Sequence, residues 1–216
     1  MKSIPFGLIA LLLWVPNLFA QVGFLDPRFL DRFPDPEAQF RLKRTAAVFS
    51  APEDPDGRLS MPVKDCKDYL AAQKGGYQPQ GAADFKAAFE YRDCLLLNLF
   101  THAKPSPKPT EFPVLEELDL GAYEPFSQTG ANNLKELAMH LRGILKPQNL
   151  ASQLEAPTQQ MELRWVAWGD LDGQGGEDLL LQVSQGPVER YFLVLADLET
   201  GTGWLVRPLD RWDTGP

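Results

Sequence analysis

Apolar positions recur at helical spacing over the first two thirds of the chain and at strand spacing over the last third. In residues 82–103 (AADFKAAFEYRDCLLLNLFTHA), Phe85, Ala88, Phe89, Leu96, Leu97 and Phe100 fall along one stripe, which predicts a helix of about five turns. Residues 132–146 (NNLKELAMHLRGILK) carry Leu134, Leu137, Leu141 and Ile144 three and four apart. That spacing predicts a further helix, stopped by Pro147. Two shorter helices are expected at 35–48, with Asp35 as N-cap and Pro36 at the first helical position, and at 63–74, closed by Gly75 and Gly76.

From Met161 the period changes. ELRWVAWGD, EDLLLQVSQ, RYFLVLADL and TGWLVRPLD are rich in aliphatic and aromatic residues, and GDLDGQGG, QGPVE and ETGTG separate them. Short glycine-bearing connections join antiparallel neighbours, so these runs predict a meander of three or four strands with helices against one face. The expected fold class is α+β: a helical N-terminal half, made of a disulfide-linked helical hairpin and one further helix, packed on a C-terminal antiparallel β-meander. Trp165, Trp168, Trp204 and Trp212 are expected in the core or at its rim.

The division along the chain follows. Residues 1–20 (MKSIPFGLIALLLWVPNLFA) open with Lys2, run apolar from Pro5 to Phe19 and end on Ala20, the pattern of a secretory signal peptide. Pro16 and Asn17 interrupt that run, which is too short for a membrane span. Residues 21–64 form a proline-rich segment, with prolines at 27, 34, 36, 52, 55 and 62 that exclude a long helix. A helical region at 65–150 and the meander at 160–212 come next, with 21–216 expected to form one compact unit. The stretch KPSPKPTEFP at 104–113 marks a boundary inside it.

Charge narrows the partners. The chain has 21 Lys and Arg against 29 Asp and Glu, a net charge of −8, and loss of the first 20 residues would make it more negative still. Such acidity disfavours nucleic acid and anionic lipid and suits a basic partner or bound cations. An exported protein sits where disulfides persist, and with two cysteines only one intrachain pairing exists, Cys66 with Cys94.

The densest candidate chemistry lies between the first two strands. Counting Asp170 as position 1, the loop D-L-D-G-Q-G-G-E-D offers side-chain oxygens at Asp170, Asp172, Gln174 and Asp178, and the Gly176 carbonyl at position 7. Oxygens at alternate positions of a glycine-rich loop can wrap a hard cation such as Ca2+. The helix–loop–helix calcium hand is excluded, because position 12 is Leu181 where that loop needs glutamate, and LLLQV continues as a strand. The run instead resembles the strand–loop–strand calcium loop of FG-GAP and VCBS-type repeats, D-x-D/N-G-D-G-x-x-D-L. It matches at Asp170, Asp172, Gly173, Gly175, Asp178 and Leu179. Those families stack several repeats, whereas one copy occurs here, and Gln174 stands where the third acidic ligand would be. A second description fits the same residues: a glycine-rich hairpin loop whose aspartates bond their own backbone as Asx turns.

No nucleophile elbow, zinc-protease motif, phosphate-binding glycine loop or C-x-x-C occurs in the chain. His102 and His140 are its only histidines, and neither sits in a catalytic pattern. The acidic group Glu116, Glu117 and Asp119 reads as a solvated face. The expectation is a periplasmic or secreted soluble protein that acts without catalysis, by binding an unidentified protein or envelope component, with calcium as a stabiliser. A secreted hydrolase using paired carboxylates and a calcium-dependent adhesion module are the alternatives.

Overall fold

A computed structural model describes residues 23–54, 59–106, 112–123, 126–148, 150–157, 159–196 and 204–209. The signal peptide expected at 1–20, the turn ETGTG and Trp212 lie outside these residues. Among the described residues no helix is long and apolar enough to cross a membrane.

The fold is organised by a sheet of six sequential antiparallel strands: β5 (Ile144–Gln148), β6 (Ala151–Ala156), β7 (Gln159–Gly169), β8 (Asp178–Gln185), β9 (Val188–Ala196) and β10 (Trp204–Pro208). A two-residue strand near the N-terminus, β1 (Gly23–Phe24), pairs with the far end of β7 beside β6. A smaller sheet joins β2 (Ala47–Ser50), β3 (Ser60–Val63) and β4 (Gln78–Pro79), with β2 in the centre.

Both faces of the large sheet are covered. One meets α1 (Pro27–Arg32), α3 (Cys66–Lys74), α5 (Cys94–His102) and the small sheet, where Phe29, Phe33, Leu97 and Phe100 pack on Val166, Leu180 and Leu193. The other meets a short 3-10 turn at Leu115–Glu117, the segment that follows it, and α6 (Leu134–Leu141). There Leu120, Phe126, Leu134 and Leu137 pack on Leu163, Leu179, Leu181 and Phe192. Two-sided burial explains why LLLQV in β8 does not alternate, since a strand covered on both faces has no solvent side, and its polar member, Gln182, is buried and donates to the Tyr191 hydroxyl at 3.3 Å.

A β-bulge at Val166 adjusts this packing. Trp165 faces Leu181 and Ala167 faces Leu180, so β7 carries one residue more than its partner. Val166 and Ala167 therefore both enter the first core, while Trp165 and Trp168 both serve the second. Trp204 is also partly buried against the second core.

This architecture corrects the expected fold class. The first half is not simply helical, since β2, β3 and β4 lie within it, and the C-terminal sheet has six strands rather than three or four. Helices cover both faces of that sheet, not one. The long helix expected at 82–103 is divided into α4 (Ala82–Ala88), a 3-10 turn at Phe89–Tyr91 and α5. The helix expected at 132–146 ends at Leu141. Arg142 adopts a left-handed conformation (φ 52), and the Arg142 and Gly143 N–H groups donate to Met139 and Ala138, a Schellman stop. Ile144 and Leu145 then continue as strand, and Pro147 is accommodated because β5 is an edge.

Local signals set the helix starts. Asp35 accepts from Ala38 N at 2.9 Å and caps α2 (Pro36–Arg41), Asp65 accepts from Asp68 N at 2.9 Å and caps α3, and Asn133 accepts from Glu136 N at 3.0 Å and caps α6. Gly76 (φ 76) closes α3. Cys66 and Cys94 form a disulfide with Cα atoms 5.1 Å apart. Each is the first residue of its helix, so the bond ties the starts of α3 and α5 together instead of gripping the middle of a hairpin.

Candidate metal centre

The loop 170–177 joins β7 to β8, and its ends are fixed by the last pair of that ladder, Gly169 opposite Asp178. Gly173 (φ 78) and Gly175 (φ 95) supply two left-handed backbone positions that residues with a Cβ avoid, and these fold the loop back on itself. Asp170 is held from outside as well. Its backbone exchanges hydrogen bonds with Lys104 in both directions, at 3.0 and 3.1 Å.

Three carboxylates converge in this turn. One oxygen from each of Asp170, Asp172 and Asp178 lies within 4.8 Å of the other two, which makes them the sole such group among the described residues. Asp178 Oδ2 accepts from Leu171 N at 2.7 Å and Asp172 N at 3.0 Å. Asp170 Oδ1 accepts from Gly175 N at 3.1 Å, and Asp172 Oδ1 from Gln174 N at 2.9 Å, the latter an Asx turn. Asp170 and Asp178 are buried and Asp172 is half-buried.

Electrostatics sets the character of the group. Burial pushes the Asp178 carboxyl up to about 6, with repulsion from Asp172 and Asp170 adding to the rise and the two backbone hydrogen bonds opposing it. The nearest positive charge is Lys104, whose Nζ is 3.7 Å from Asp170 Oδ2 and donates to the Gly173 carbonyl at 3.3 Å. Three carboxylates against one ammonium form an oxygen-only set of net negative charge, the donor type that hard cations take. No histidine or thiol belongs to it, so the set lacks the softer ligands preferred by zinc and copper.

Of the five residues expected as ligands, the structure gathers three. Gln174 is exposed, and the contact tying it to the carboxylates is its backbone N–H rather than its amide side chain. Gly176 is half-buried beside Asp178, where an added Cβ would stand 3.6 Å from Oδ1. Lys104 is the member that sequence reasoning missed. It lies 66 positions before Asp170 and opens the proline-rich stretch, so no spacing connects the two.

The remaining sequence candidates do not converge. His102 Nδ1 lies 2.8 Å from Asn98 O and His140 Nδ1 lies 2.8 Å from Glu136 O, each one turn back on its own helix. Glu116 takes a hydrogen bond from Ser152, Glu117 pairs with Lys135 at 2.7 Å, and Asp119 accepts from Gly121 N at 3.2 Å. Of the turn 53–60, residues 55–58 lie outside the described residues.

The fold and the turn together define a mixed α/β protein with a sheet covered on both faces and an acidic loop at one end of it. No family model matches the chain, and neither a curated protein nor a solved structure matches it.

Proposed function

We propose that this is an exported protein that acts by binding or assembly in the cell envelope, with the loop at 170–178 serving as a calcium staple for the β7–β8 hairpin. The convergence of Asp170, Asp172 and Asp178 within 4.8 Å carries the staple part of this reading. The FG-GAP/VCBS-like spacing supports it from the sequence, as does the raised affinity of Asp178 for a proton, since a group crowded by like charge gains from any cation. Export is supported by the apolar stretch from Pro5 to Phe19 and by the Cys66–Cys94 disulfide. The net charge of −8 favours a basic partner.

The role of the cation is mechanical. It would draw the three carboxylates together and fix the mouth of the hairpin, with Asp170 released from Lys104 as the ion takes its oxygen. Thermal melting with calcium against melting with chelator tests this directly. A rise in midpoint that saturates with calcium and vanishes in Asp170→Asn/Asp172→Asn is expected, and an unchanged midpoint at millimolar calcium overturns the staple.

A further inference from the structure

A cleft of about 490 Å3 opens beside the β8–β9 turn, at the other end of β8 from the carboxylate loop. One wall is the 3-10 turn and the start of α5, contributing Phe89, Arg92 and Leu95; the other is Pro187–Tyr191, and Leu209 closes one end. Its volume falls in the range of roughly 300 to 1,000 Å3 usual for small-ligand sites.

The cleft's polar floor is already engaged. Arg32 pairs with Asp93 at 2.5 Å and with Glu189 at 3.0 Å and donates to the Tyr191 hydroxyl at 3.1 Å, and that hydroxyl donates to Glu189 at 2.8 Å. Burial raises the Glu189 carboxyl, but the hydrogen bonds from Tyr191 and Arg32 outweigh it and hold Glu189 below its ordinary value. Both carboxylates of the cleft are thus partners of one arginine.

Arg92 is placed differently. Its guanidinium lies over the Phe89 ring, 4.4 Å from the centroid, and its ion pair is with Asp93 at 3.9 Å, an oxygen that Arg32 holds much more closely. Arg32 is the close partner of both cleft carboxylates, and the charge of Arg92 meets Asp93 only at 3.9 Å. Beside that charge sit exposed apolar surfaces, Phe89 at 65% and Val188 at 51%. A guanidinium fixed against an aromatic ring is a ready partner for a planar anion.

We propose that this cleft binds an amphipathic monoanion, a carboxylate with an aromatic or aliphatic body, its head on Arg92 and its body against Phe89 and Val188. A single loosely paired guanidinium beside apolar surface suits a monoanion with an apolar body better than a dianion such as phosphate. The site lies outside the carboxylate loop and does not depend on cation binding there.

Calorimetric titration of the full chain with 2-naphthoate, octanoate, a peptide ending in a free phenylalanine carboxylate, that peptide's amide, 2-naphthalenemethanol and inorganic phosphate tests the assignment, each with and without chelator. At least one carboxylate should bind saturably, about tenfold or more tighter than its neutral counterpart. Arg92→Ala and Phe89→Ala should each weaken it by about tenfold without altering the melting midpoint, whereas Asp172→Asn should leave it unchanged. Stronger binding of the free acids identifies a small metabolite-like ligand, and stronger binding of the peptide acid identifies a chain terminus. No saturable binding of any carboxylate, equal binding of phosphate, or indifference to Arg92→Ala overturns the proposal. Equal affinities with and without chelator separate its fate from that of the calcium staple.

Discussion

The carboxylate loop and the arginine cleft lie at opposite ends of β8 and are built in opposite ways. The loop takes all three carboxylates from nine consecutive residues and only Lys104 from elsewhere. The cleft takes Arg32 from α1, Phe89 and Arg92 from the turn before α5, Glu189 and Tyr191 from β9, and Leu209 from beyond β10. A site made of neighbours in sequence depends on one hairpin; a site made of distant segments depends on the whole helical layer staying in place. Perturbations should therefore separate the two.

The largest effect is expected from removing the disulfide. Cys66→Ser/Cys94→Ser frees a loop of 28 residues and should cost about 3 to 4 kcal/mol in urea unfolding. Because Cys94 begins the helix whose Leu95 lines the cleft, carboxylate binding there should fall well before the calcium response of the loop does. Loss of both in parallel would contradict the separation.

Asp178→Ala should come next. It strands the buried Leu171 N–H and the half-buried Asp172 N–H, and a loss of about 2 to 3 kcal/mol is expected near pH 5, against about 1 kcal/mol or less for Asp172→Ala. Chemical denaturation of the two variants gives the ordering, and cleft binding should survive both.

A dependence on pH of similar or smaller size follows from the same group. Folded Asp178 titrates at about 6, above its ordinary 3.8, so the folded chain holds this proton more tightly. Its contribution is present at low pH and is lost as pH rises through about 6, with a magnitude on the order of 2 kcal/mol. The stability difference between wild type and Asp178→Asn in chelator should show this fall from about pH 4 to 7, and saturating calcium should reverse it by favouring the ionised group. A flat difference in chelator would remove the basis for a crowded, buried carboxylate.

The smallest stability effect belongs to Arg92→Ala. Its stacking on the exposed Phe89 is worth roughly 0.5 to 1 kcal/mol, so unfolding should barely move while ligand binding in the cleft is lost.

How far the sequence was legible follows the same division between local and distant. Asp35 as cap, Gly76 as stop and the four C-terminal strand runs are all recorded within a few residues of where they act, and the Cys66–Cys94 pairing follows from there being two cysteines. The left-handed Arg142 has no such signature, because φ 52 at a non-glycine residue is imposed by its surroundings. Ile144 stays in phase with the α6 stripe and so reads as helix, although its neighbours pair with β6. FEYRD at 89–93 contains no helix breaker, and the 3-10 turn there is set by packing around the fully buried Tyr91, whose hydroxyl donates to the carbonyls of Thr45 and Val63. Strands β2 and β3 were hidden among prolines. Among the site residues, the three aspartates were readable and Lys104 was not.

The bulge at Val166 acts on more than the two cores. It works like a single inserted letter in a reading frame, since every side chain of β7 after it points the opposite way from where strict alternation would send it. Deleting Val166 would restore strict alternation and leave Ala167 opposite Leu180 and Trp168 opposite Leu179, whereas flattening the bulge with Val166 kept in the ladder would exchange the surroundings of Ala167 and Trp168. That one-residue slip would also change the approach of Asp170, four residues beyond Val166, to Asp178 without altering any carboxylate. The acidic loop is thus composed by its own nine residues and aimed by one that carries no charge.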